Sequence, residues 1–353
     1  MVVDAQLGQF GDLLFGSALA IYVLAMILHA VEHALLRRTG TEEESVSRVP
    51  VAAGATAASA RSGEGLSSEG RSGEGLSAEG AALAADLDER DARDAEPPTR
   101  PPRSRAERFG RTGVSLTVLG FALHLAMLVV RGFAAQRVPW GNMYEFTAAI
   151  SLVAVGAWLV VLRRRPELRR LGAFVLLPVI ILMFLAGTVL YTQTAPVVPA
   201  LRSYWLVVHV SAAVIASGIL LLAGVASCLY LLRAAHESSG RFAWTSRLPS
   251  ADVLDRVAYR ATAIAFPIWT FAVITGAIWA EAAWGRYWGW DPKETTAFIA
   301  WIVYACYLHA RSTAGWRGRR AAVINVVGFA VMVFNLFFVN LVVTGLHSYA
   351  GVG

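Results

Sequence analysis

The sequence predicts an all-α polytopic membrane protein with eight transmembrane helices and a tryptophan-rich loop on the extracytoplasmic side. Three observations carry that reading. Hydrophobic residues make up 56% of the 353, and the mean hydropathy is +0.53, well above ordinary soluble domains. The apolar residues gather into eight runs long enough to cross about 30 Å of hydrocarbon. The segments between those runs alternate between arginine-rich and arginine-poor.

The runs fall at about 11–36, 113–131, 143–162, 171–191, 204–232, 256–280, 295–311 and 321–345. The first ends in charged, histidine-bearing sequence without a small-residue cleavage site, so it reads as a retained span. Segments 37–112, "RRRPELRR" (163–170), 233–256 and "RSTAGWRGRR" (311–320) are arginine-rich, whereas the loops between them carry only Arg131, Arg137, Arg202, Arg286 and Lys293. By the positive-inside tendency the first set is cytoplasmic, and both termini and the tryptophan-rich loop are extracytoplasmic. Cys228 and Cys306 lie inside apolar runs and offer neither a disulfide framework nor a clustered metal site. No nucleic-acid partner is expected; membrane lipid surrounds the chain.

Residues 39–110 interrupt this pattern. They hold a tandem, "RSGEGLSSEG" then "RSGEGLSAEG", followed by Ala-, acid- and Pro-rich sequence. Such a chain buries too little apolar area to offset its ordering entropy, and a disordered cytoplasmic insert is expected. The domain reading is therefore a first helix over 1–38, the insert over 39–110, and a seven-helix membrane domain over 111–353.

"WGRYWGWDPKETTAFIAW" (284–301) is the densest feature. Trp279, Trp284, Trp288 and Trp290 fall within one short stretch on one side of the membrane. An interfacial belt would spread its indoles over both interfaces; this clustering favours a stacking surface for a large flat ligand. Asp291, Pro292 and Glu294 also read as a helix cap, a first-turn proline and a capping box, which leaves a role in holding the loop open to them. Arg286 and Lys293 are candidates to meet a ligand's carboxylates, or equally to face lipid headgroups.

Ionisable residues inside spans are costly and point to function. His209 lies about five residues inside the outer end of the fifth run, and His347 just past the outer end of the eighth. Two imidazoles at the depth of an indole platform are what an iron porphyrin requires. His309 lies roughly 22 Å down the seventh helix at 1.5 Å per residue, too far to share that ligand, so any haem it binds belongs to a second, inner site. His29, His33 and His124 read as satisfied structural residues, although the spacing of the first two would allow a metal; His236 sits in a polar loop.

Together these residues resemble a known family. "WGRYWGWDPKET" is similar to the WWD motif of haem-handling proteins in cytochrome c maturation, most nearly the CcsA/ResC type of the System II pathway. The resemblance extends through "PVVPALRSYWLVVHV" (196–210), "LDRVAYRATAIAF" (254–266), residues 276–311 and "FFVNLVVTGLHSYAG" (337–351), with a weaker match at "PWGNMYEF" (139–146). It implies that His209 and His347 are axial ligands of an external haem beside the WWD loop (279–295), with Trp284, Trp288, Trp290, Asp291, Arg286 and Lys293 around it. It implies that His309 serves an inner haem whose second histidine comes from a ResB-type partner. The cofactor expected is haem b, non-covalent and bis-histidine ligated, because the chain has no Cys-x-x-Cys-His of its own. The implied activity is export or presentation of haem for thioether attachment to apocytochrome c, as part of a cytochrome c synthase in the bacterial cytoplasmic membrane. The insert and Thr296, where the family often has another Trp, depart from the pattern. A CcmC-type haem chaperone, a transporter of another aromatic substrate and a purely structural subunit are the alternatives.

Overall fold

The computed structural model describes residues 4–46, 104–195, 202–313, 316–343 and 345–346. The chain divides into two units, residues 1–38 with 105–353, and residues 39–104. Of the expected insert, residues 47–103 lie outside the described residues; 39–46 continue the first helix and 105–110 open the second.

Among the described residues the elements are α1 (Ala5–Val46), α2 (Arg105–Ala135), α3 (Met143–Arg164), α4 (Gly172–Thr188), α5 (Tyr204–Ser239), α6 (Ala251–Trp284), α7 (Pro292–Ser312) and α8 (Arg319–Leu341), with 3-10 turns at Pro166–Leu171 and Ala243–Arg247. Seven are long and apolar enough to cross a membrane: α1 to α6 and α8. The chain is thus an all-helical, multi-pass membrane protein. The seventh expected span, 295–311, is a helix but not one of those seven. Its helix opens on Pro-Lys-Glu-Thr-Thr and closes on His-Ala-Arg-Ser, which dilutes its hydropathy, although 21 residues rise about 31 Å.

Local chemistry sets the helix ends that matter for the site. Asn142 Oδ1 accepts the N–H of Glu145 and starts α3. Ser203 Oγ accepts from Trp205 and starts α5. Gly285, at φ 71, ends α6 in the left-handed conformation that costs glycine little. Asp291 and Glu294 then close a capping box on α7, with Pro292 in its first turn.

Helix α5 is the axis of the bundle, packed along α6 and also against α3 and α8, while α7 lies on α8. Small residues permit the close approaches that van der Waals packing in a membrane relies on. A Cβ on Gly224 of α5 would stand 2.4 Å from the Phe329 ring of α8, and one on Gly218 would stand 2.6 Å from Val153 of α3.

Candidate functional site

His209 sits in the second turn of α5 and is anchored to α6. Its Nδ1 lies 2.8 Å from the Ala272 carbonyl oxygen. A carbonyl only accepts, so Nδ1 carries the hydrogen and Nε2 is the lone-pair nitrogen of the neutral ring. One turn on, Gly276 makes room: a Cβ there would stand 2.7 Å from His209 Cε1. Trp279, a further turn along α6, lies nearly parallel to the imidazole at 7°, with centroids 6.1 Å apart. Trp284 meets the edge of Trp279 at 4.8 Å.

The loop between α6 and α7 is held by two carboxylates. Glu294 Oε2 accepts the backbone N–H groups of Gly289 and Asp291 at 2.9 and 3.1 Å, and Glu294 Oε1 lies 3.5 Å from the Arg286 guanidinium. Asp291 Oδ1 accepts from the Lys293 amide at 3.0 Å. Asp291 Oδ2 accepts from the Leu346 amide at 2.7 Å. Lys293 Nζ donates to Asn340 Oδ1 of α8 at 2.5 Å. Lys293 lies in the first turn of α7, outside the seven candidate spans, and burial pushes its ammonium down to about 8 against the opposing pull of Asp291.

These elements enclose a cavity of about 360 Å³, within the range of small-molecule sites. His209, Trp279, Trp284, Trp288 and Lys293 line one part of it, and Ser217, Leu221 and Phe329 line its deeper part between α5 and α8. A further wall comes from the loop before α3 and the first turn of α3, through Trp140, Asn142 and Phe146. A fully buried carboxylate braces that wall. Glu145 accepts from Arg131 Nε at 2.9 Å, from Arg137 Nη1 at 2.6 Å and from the Gly141 amide at 2.9 Å. Arg131 also donates to the Thr192 carbonyl and lies 3.5 Å from Asp12, while Arg137 donates to the Ala195 carbonyl at 3.1 Å. Glu145 therefore ties α2, the 137–142 loop and the segment after α4 together behind the cavity.

Of the residues singled out in the sequence, His209, Trp279, Trp284, Trp288, Lys293 and Glu294 come together on this cavity. Three residues of the loop and its cap do not line it. Trp290 is 68% exposed; its φ of 58 turns the backbone left-handed, and its ring stands perpendicular to that of Trp288, with centroids 5.8 Å apart. Arg286 is engaged by Glu294, and Asp291 by two backbone amides. His347 lies outside the described residues, directly after Leu346. His309 is exposed near the far end of α7, about 24 Å along the helix from Lys293. His124 is buried 3.5 Å from the Tyr22 hydroxyl, and His29 is buried against Glu32 and Trp158; neither lines the cavity. Among the described residues no group of three or more His, Cys, Asp or Glu side chains could hold a bare metal ion.

Sequence reasoning gave no role to Trp140, Glu145 or Asn340. The weaker "PWGNMYEF" match was the available signal for two of them. Asn340 lies in the matched stretch 337–351, but its pairing with Lys293 joins residues 47 positions apart and left no mark in the sequence.

The chain matches the family described as "Cytochrome C assembly protein" over residues 140–347. It is 36% identical over 266 residues to a "Cytochrome c biogenesis protein CcsA" of Parasynechococcus marenigrum, covering 68% of this chain and 87% of that protein. It is 35% identical over 288 residues to the protein of the same name from Synechococcus elongatus, again at 68% and 87%. With that of Chlamydomonas reinhardtii it shares 35% over 233 residues, 64% of this chain and 65% of that protein.

Proposed function

Since the chain belongs to the cytochrome c assembly protein family, as a CcsA-type member, we propose that it holds haem b in the cavity beside His209 and presents it to apocytochrome c. The role in cytochrome c biogenesis, with haem as the molecule handled, comes with membership. The haem type, its ligands, the partner and the orientation in the membrane are our reading.

The observation that carries it is the 2.8 Å contact between His209 Nδ1 and the Ala272 carbonyl oxygen. With Nδ1–H committed to the Ala272 carbonyl, the nitrogen suited to an iron is Nε2, in a ring packed against Trp279 on the wall of an aromatic cavity. His347, which follows Leu346 in the chain, is proposed as the second axial ligand. Trp284 and Trp288 offer apolar faces to the macrocycle; Trp290, exposed, is offered to what approaches from outside.

Haem is the substrate here. Each thiol of a Cys-x-x-Cys-His segment adds across a vinyl group: the S–H bond breaks, a C–S bond and a C–H bond form, and no oxidant is consumed. The chain contributes position rather than an acid or a base. The cavity wall holds the ring and the loop leaves an edge accessible. In this reading the loop faces outward from a bacterial cytoplasmic membrane, with both termini on the same side. His309, exposed on α7, contributes to an inner haem site completed by a histidine of a ResB-type partner.

Optical spectra of the purified protein test the assignment. His209→Gly should lose the low-spin bis-histidine Soret and α bands, and added imidazole should restore them. An unchanged spectrum in His209→Gly removes His209 as a ligand.

A further inference from the structure

The cavity carries donors that lack acceptors. Lys293, the sole lysine of the chain, lines it and gives one N–H to Asn340 Oδ1. Asn340 is fixed in that orientation because its own amide nitrogen donates to the Leu336 and Asn335 carbonyls at 2.6 and 3.1 Å. Among the described residues no carboxylate lies within ion-pair distance of Lys293. The two nearby acids are committed elsewhere: Asp291 to the Lys293 and Leu346 amides, Glu294 to Gly289, Asp291 and Arg286. Trp140 also lines the cavity, and among the described residues its buried Nε1–H meets no acceptor. Asn142 lines it as well and spends only its oxygen, on the α3 cap.

An ammonium in an apolar cavity with one neutral partner is unfavourable, and an anion brought by the ligand offsets that cost. Donors without acceptors select a carboxylate over an ester, because only the carboxylate bonds to the ammonium with charge assistance. The depressed value of Lys293 agrees with a cation awaiting its counter-charge. Arg286 is unsuited: it is paired with Glu294 and does not line the cavity.

We infer that Lys293, braced by Asn340, together with the Trp140 indole N–H, forms the subsite that receives a carboxylate of the macrocycle whose iron His209 meets. This rests on the haem reading above and adds to it which groups select the acidic edge of the ring.

The test compares haem b with its dimethyl ester, whose iron and ring are the same and whose carboxylates are masked. Each is titrated into the full chain in lipid nanodiscs and followed at the Soret band. Wild-type protein should bind the diacid about tenfold or more tightly than the ester, the ratio expected of a charge-assisted hydrogen bond. Lys293→Gln should bring that ratio near one without moving the band position; Lys293→Arg should retain part of the preference, and Arg286→Gln all of it. Equal affinity of wild-type protein for both porphyrins overturns the subsite and leaves the haem reading standing, as does a preference that survives Lys293→Gln. Wild-type protein that binds neither porphyrin overturns the haem reading, and the subsite with it. The acid–ester comparison needs no variant, so a poorly folding Lys293→Gln does not protect the inference.

Discussion

Asp291 accepts the backbone N–H of Leu346 at 2.7 Å through Oδ2 while its Oδ1 caps α7. One carboxylate thus fastens the tryptophan loop to the chain segment that leads into His347. A Cβ on Gly345 would stand 2.7 Å from the same Oδ2, so the approach is close as well as bonded.

Asp291→Asn keeps one acceptor oxygen and must give up either the cap or the tie. A buried amide left without a partner costs about 1–3 kcal/mol, or roughly tenfold in an equilibrium. Haem content per protein, read from the Soret band, should fall several-fold, and the loss should be larger in Asp291→Ala. Unaltered haem content in Asp291→Ala would show that the Leu346 tie does not help place the second ligand.

Gly276 supplies the space in which His209 reaches Ala272. A methyl group there would overlap the imidazole at 2.7 Å and force the ring off its carbonyl or the helices apart. Gly276→Ala should weaken haem binding and Gly276→Val should abolish it. Gly16→Ala in α1 is the control, because nothing lies within 4 Å of its Cβ position. Equal spectra for Gly276→Val and Gly16→Ala would contradict the packing described.

Glu145 balances two guanidinium groups behind the cavity wall. Removing one member of a buried ion network leaves uncompensated charge and costs about 3–5 kcal/mol. Glu145→Gln keeps the shape and loses the charge. It should lower the thermal unfolding temperature of the detergent-solubilised protein and loosen the 137–142 loop, read as faster proteolysis there. Normal melting and normal proteolysis would show that Glu145 carries no such load.

The depth of His209 was legible because Ser203 caps α5 and the run of apolar residues after it sets the register. The α7 start was legible from Asp291, Pro292 and Glu294, whose types and spacing are those of a capping box. Side-chain directions within the loop were not. Helix period rules place residues on faces, but residues 285–290 have no period, so nothing separated the lining Trp288 from the exposed Trp290. Partners were hidden for a different reason. The Ala272 carbonyl is backbone and leaves no mark in sequence, and Arg286, expected to meet a ligand's carboxylates or lipid headgroups, meets Glu294 instead. The hydropathy of α7 shows the converse: its polar ends mark the site and lower its standing as a span.

Trp290 brings backbone and function into conflict, and that conflict is testable. Its φ of 58 is a conformation that costs a residue with a Cβ about 1–2 kcal/mol, and its side chain is mostly exposed, so packing inside the chain repays little of that cost. Trp290→Gly should therefore raise the thermal stability slightly, by about 1 kcal/mol. Because the ring does not line the cavity, the haem spectrum should stay as in wild type. If the exposed indole is held out to meet the apocytochrome, the same substitution should lower the yield of thioether-linked cytochrome c in a reconstituted assay while haem content is unchanged. A loss of haem from Trp290→Gly would instead put the indole against the macrocycle. Full cytochrome yield would leave the strained backbone without a functional reason.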